Sequence, residues 1–124
     1  MSFELTYASG EEKGKGPLRF KYAFFIKHKY SIEYCKASRS YTIVNFIGYE
    51  QEAVSYRLHI IEQELNPEFF LRVHKSYIVN IYCVKKICRG KCTLILSHDE
   101  EIPFARDRKD EIINILKQVH VPEE

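Results

Sequence analysis

The sequence has no apolar run near the roughly 20 residues that cross a bilayer, and no secretory leader with a charged start and an apolar centre. No helical membrane span is expected, and the expected location is the cytoplasm. A large charge excess is also missing: 19 Lys and Arg stand against 17 Asp and Glu, for a net +2. Whole-chain charge therefore does not mark a nucleic-acid binder, and any such argument must come from local charge. Tryptophan is absent, and with five glycines and four prolines the chain is neither collagen-like nor low-complexity.

The signatures of catalysis are missing as well. There is no Gly-x-Ser-x-Gly elbow and no His-Glu-x-x-His pair, so no enzyme is expected. Gly14-Lys15 is followed by Gly16 and Pro17 where a phosphate-binding loop needs Ser or Thr. Of the four cysteines, Cys35, Cys83, Cys88 and Cys92, only the last two make a close pair, whereas a structural zinc site usually offers two such pairs. No metal and no cofactor are expected, and the thiols read as free, small hydrophobes.

What is present is the balance of one soluble domain: 124 residues, 45% hydrophobic and 29% charged. Such a chain buries roughly two-thirds of its unfolded surface and needs no staple. Nine Tyr and eight Phe, with frequent Val, Ile and Thr, favour strands. Residues 1–17, where Gly10, Gly14, Gly16 and Pro17 are interleaved with Glu11, Glu12, Lys13 and Lys15, are expected to form a flexible arm, and 18–124 a single domain.

Phe20, Tyr22, Phe24 and Ile26 alternate with Lys21, Ala23, Phe25 and Lys27, which predicts a half-buried strand within 18–30. Further strands are predicted over 32–37 and 41–47 around Ser38-Arg39-Ser40, with a turn at Gly48. Val54, Leu58, Ile61 and Leu65 recur at helical spacing, predicting a helix over 56–65 capped by Ser55 and stopped by Asn66-Pro67. Beyond it lie the mostly apolar segment 69–80, a hairpin of 82–87 with 92–97 across Arg89-Gly90, and a short strand at 101–104. Ile112, Ile115, Leu116 and Val119, with Asp110 and Glu111 in the first turn, predict a last helix over 109–118.

Charge is segregated along the chain. Residues 17–47 net +5, residues 48–69 net −4, and residues 70–92 carry six cations and no acid. Charge alone leaves two readings open: a binding face, or solvated outward positions on strands.

The run Phe70-Leu71-Arg72-Val73-His74-Lys75-Ser76-Tyr77-Ile78-Val79-Asn80 resembles the central signature of the LytTR family of DNA-binding domains. Three more segments resemble the family in order: Ile32 to Ala37 followed by a polar loop and Tyr41, the helix ending at Leu65 and Pro67, and Glu101 to Arg106. The resemblance spans about 24–119. It implies a mainly β fold of elongated, small antiparallel sheets with one or two short helices, reading double-stranded DNA through loops. It further implies a bacterial transcription regulator of the response-regulator output type, with two copies on a pair of direct repeats and weak contact between copies. The chain has room for neither a receiver nor a sensor segment, and Met1 with the arm favours a stand-alone regulator over an excised piece. Two departures stand out. A hairpin strand usual in the family is missing before Ile32, which predicts an abbreviated first sheet, and Phe104-Ala105-Arg106 lacks the serine that commonly precedes the arginine.

By this resemblance the DNA-binding residues are Ser38, Arg39 and Ser40 in the first loop, Arg72, His74 and Lys75 in the central signature, and Arg106, Arg108 and Lys109 before the last helix. An arginine fork suits guanine O6 and N7, hydroxyls suit phosphate oxygens, and a lysine supplies charge without a planar fork. The first loop, His74 and Arg106 each have a plainer alternative. The first loop can be a solvated turn, His74 can hold the loop by internal hydrogen bonds, and Arg106 can pair with Asp107 or Asp110. Ser76 and Asn80 are expected to satisfy nearby backbone groups. The rival function is a protein-interaction module that uses the basic face without binding DNA.

Overall fold

The computed structural model describes residues 29–48 and 50–124. The expected arm 1–17 and the strand read from Phe20 to Ile26 lie outside these residues. Lys29–Ser31 form a single 3-10 turn, so that strand does not extend to Tyr30 as its alternation suggested.

Strand exceeds helix, and the elements fall into two antiparallel sheets. The first has five strands in the order β3-β2-β1-β5-β4: β1 (Ile32–Ser38), β2 (Tyr41–Phe46), β3 (Gln51–Val54), β4 (Phe70–His74) and β5 (Tyr77–Asn80). The second has three: β6 (Val84–Cys88), β7 (Thr93–Leu96) and β8 (Glu101–Pro103). Helix α1 (Leu58–Glu64) lies between β3 and β4, and α2 (Lys109–Gln118) follows β8.

Two apolar clusters show why the end of the mostly apolar segment 69–80, Tyr77-Ile78-Val79, reads without alternation. Ile78 of β5 packs with Ile32, Cys35, Val44, Val54 and the α1 residues Leu58 and Ile61. Val79, the next residue, packs with Ile87, Leu94, Ile102 and the α2 residues Ile112, Ile113 and Leu116. Successive strand residues point to opposite faces, so β5 is covered on both sides, by α1 on one and by the second sheet with α2 on the other. A strand buried on both faces loses the alternation of a half-exposed one.

Several boundaries differ from the sequence reading. Val54 belongs to β3, opposite Thr42, and not to the helix whose spacing it shares. Ser55 is therefore no cap; the first helical turn follows Arg57, which makes no side-chain cap bond, while the Thr42 hydroxyl donates to the Tyr56 carbonyl at 2.7 Å. The stop is as expected: Asn66 Oδ1 accepts from the Glu68 amide at 2.8 Å. Ile81–Cys83 form a 3-10 turn where strand was read, held by Asn80, whose Oδ1 accepts from the Tyr82 amide and whose Nδ2 donates to the Ile32 carbonyl, both at 3.0 Å. Helix α2 occupies the expected 109–118.

The chain after α2 returns to the second sheet. Ile87 donates its amide to the Pro122 carbonyl and accepts from the Glu124 amide, adding a short parallel bridge beside β6. Glu123 there pairs with Arg89 and with Lys117, 2.9 Å away. All four cysteines are buried and free; burial pushes the Cys35 thiol up to about 12.

Candidate nucleic-acid interface

Two turns meet at one end of the five-stranded sheet. The first joins β1 to β2 through Arg39 and Ser40, with Ser38 opposite Tyr41. The second joins β4 to β5 through Lys75 and Ser76, with His74 opposite Tyr77. They are neighbours because β1 pairs with β5, and the Ala37 amide donates to the Ser76 carbonyl at 2.9 Å. Ser38, Arg39 and Ser40 are all exposed. Arg39 has φ 60°, the left-handed region that glycine occupies freely and a side chain occupies at a cost of about 1 kcal/mol or more. Backbone strain of this kind persists only where the surrounding structure enforces it, and here the β1–β2 pairing on either side does so.

The third segment reaches the same region through the backbone. The Phe104 amide donates to Cys92 and the Ala105 amide to Val73, at 2.9 and 2.8 Å. These bonds set the segment leading to Arg106 across the ends of β4 and β7. The result is an open cleft of about 670 Å³, lined by His74 and Lys75 from one turn, Lys91 and Cys92 from the β6–β7 turn, and Arg106 and Asp107 from the loop before α2. Lys91, which the sequence reading left out, comes to this cleft because the β6–β7 turn folds back beside β8; only its membership of the basic run 70–92 hinted at a place here.

The cations of the three segments differ sharply in what they already hold. Arg72 donates from Nε to the His74 carbonyl at 2.9 Å, from Nη2 to the Lys75 carbonyl at 2.6 Å and from Nη1 to Glu62 at 2.7 Å. Arg108 donates to the Arg72 carbonyl at 2.5 Å and to Glu111 at 3.1 Å. His74 accepts from the Ser76 amide at 3.1 Å and sets its ring edge against Tyr77. These three side chains hold the β4–β5 turn in shape. Lys109 is half-buried at the start of α2.

By contrast, the side chains of Arg39, Lys75 and Arg106 are exposed and make no hydrogen bond or ion pair among the described residues. Arg106 pairs with neither Asp107 nor Asp110; the latter lies 3.9 Å from Arg89 instead. Among the described residues Lys91 has only a distant ion-pair partner, Glu101 at 4.0 Å. Exposed charges with open donors attract an extended anion; charges already paired do not add to that attraction.

Comparison with known proteins bears on the same segments. The family model described as the LytTr DNA-binding domain matches residues 24–117. Among solved structures, a Bacillus cereus chain described as the LytTr DNA-binding domain of a methyl-accepting/DNA response regulator is similar at 26% identity, with a TM-score of 0.63 over 70% of this chain and 82% of that one. Comparison with curated proteins gives no match.

Proposed function

The chain belongs to the LytTR DNA-binding domain family, and from that membership we propose that it binds double-stranded DNA in a sequence-specific manner, as a bacterial transcription regulator acting in the cytoplasm. The observation that carries this reading is the convergence of Lys75, Lys91 and Arg106 on one cleft beside the Arg39 turn, with their donors largely unspent. DNA offers phosphate oxygens along its backbone and acceptor pairs in the major groove. In the proposed complex Lys75 and Lys91 neutralise phosphates, Arg106 reads a base edge, and Arg39 with Ser38 and Ser40 contacts the duplex one step further along the sheet end.

Arg72, His74 and Arg108 take a different part in this reading. Arg72 Nε, Nη1 and Nη2, His74 Nδ1, and Arg108 Nε and Nη1 are engaged within the protein, so these residues position Lys75 and Arg106, and any phosphate contact uses the donors that remain. Lys109 and the helix start add a basic margin. Two copies would occupy a pair of direct repeats, with the spacing set by DNA and little contact between copies.

Selection of bound fragments from the source genome, followed by titration of one fragment over a salt series, tests the proposal. Log affinity should fall linearly with log salt, by roughly 0.9 for each phosphate neutralised. Failure to enrich any fragment, with salt-sensitive binding to an acidic polypeptide, would favour the rival reading of a basic protein-interaction face.

A further inference from the structure

The register of β1 against β2 breaks between Ile32 and Tyr34, leaving Glu33 as the extra residue. Such a bulge re-aims a side chain, and here it turns a carboxylate into the space between the two sheets. Glu33 is 2% exposed. Its Oε1 lies 3.5 Å from His98 Nδ1, in the turn between β7 and β8. Glu100 stands on the far side of that turn, and one donor atom from each of Glu33, His98 and Glu100 lies within 4.8 Å of the others. The remaining oxygen of Glu33 is buried with no hydrogen-bond partner, and so is Oε1 of Glu100.

Two carboxylates facing each other out of water repel, and a buried ionised oxygen without a donor is costly. A cation between them removes both penalties. We propose that Glu33, His98 and Glu100 form a binding site for a divalent metal ion of the zinc class, joining the two sheets. Zinc takes imidazole nitrogen and carboxylate oxygen at about 2.0 to 2.2 Å, which for tetrahedral angles sets ligand atoms about 3.3 Å apart. The Glu33 to His98 separation is already close to that value, and His98 and Glu100 are only half-buried, so their side chains have room to close the rest. Their exposure leaves a fourth position open to water. One imidazole with two carboxylates suits zinc, manganese or cobalt better than the all-oxygen shell favoured by calcium or magnesium. Counting cysteines does not find this site, because it contains none and Glu33 lies 65 positions before His98 and 67 before Glu100.

The test is titration of the chelator-treated full chain with zinc chloride by calorimetry, and with cobalt(II) by visible absorption. One ion should bind per chain, zinc should raise the melting temperature, and cobalt should show the d–d bands of a low-symmetry site with nitrogen and oxygen ligands. His98→Gln and Glu100→Gln, both in a half-exposed turn, should each weaken binding at least tenfold while leaving the circular dichroism of the fold unchanged. Glu33→Gln should abolish it. His59→Gln, on the exposed face of α1, and Cys88→Ser should bind as wild type does. Absence of a one-to-one event, or binding that survives in the His98→Gln, Glu100→Gln double variant, would overturn the proposal.

Discussion

Arg108 donates a hydrogen bond to the main-chain carbonyl of Arg72, 2.5 Å away, tying the loop before α2 to the strand that ends in the Lys75 turn. Arg72 in turn holds the carbonyls of His74 and Lys75. Two arginines thus act as braces, and the free cations, Lys75 and Arg106, project from segments whose relative position those braces fix.

Arg106 and Lys75 should fail differently when truncated. Arg106→Ala should cost about 1 to 3 kcal/mol on the selected site and relax preference at one base position. Lys75→Ala should weaken selected and scrambled duplexes alike and lower the salt slope by about one. Anisotropy titrations of two variants against two duplexes decide this. Equal loss on both duplexes for Arg106→Ala would remove direct readout there.

Arg72→Ala removes two bonds from a charged donor to turn carbonyls, and should destabilise the protein by about 1.5 to 3 kcal/mol in urea unfolding. Glu62→Gln, which breaks only a surface ion pair, should change stability by less than about 1 kcal/mol. Because Arg72 is argued to act through Lys75, its DNA-binding loss should be non-additive with Lys75→Ala in a double-mutant cycle. Strict additivity would mean that Arg72 acts independently of Lys75.

Arg39 sits where glycine is at ease. Arg39→Gly should therefore raise stability, by up to about 1 kcal/mol, and at the same time weaken DNA binding. Urea unfolding and duplex titration on the same variant measure both. Unchanged affinity would reduce this loop to a solvated turn.

Arg89 and Lys117 hold the Glu123 carboxyl down to about 2 from its ordinary 4.5. A carboxyl with a depressed folded-state pKa contributes stability above its unfolded value, and that contribution is lost as pH falls through the folded value. The difference in melting temperature between wild type and Glu123→Gln should be constant from neutral pH to about 4.5, then shrink and vanish near pH 2. A difference that persists at pH 2 would mean that the return of the chain beside β6 is not held by charge.

Much of the architecture was set by local pattern. Strand-favouring runs on either side of the polar Ser38-Arg39-Ser40 connection placed the first hairpin, and apolar spacing with acids in the first turn placed α2 at 109–118, because these signals are local to each element. Four segments in family order pointed to DNA, which charge arithmetic could not. Tertiary structure decided the rest. Val54 satisfies a helical spacing and a strand pairing equally well in sequence, and only its partner Thr42 across β2 resolved which. Arg72 and Arg106 are the same residue type in adjacent signatures, yet one is consumed by the carbonyls of its own β4–β5 turn and the other is open, because only the folded turn aims those carbonyls back at the Arg72 guanidinium. Glu33 meets the His98-Asp99-Glu100 turn only in the folded protein: a bulge in one sheet and a turn in the other bring together side chains 65 and 67 positions apart.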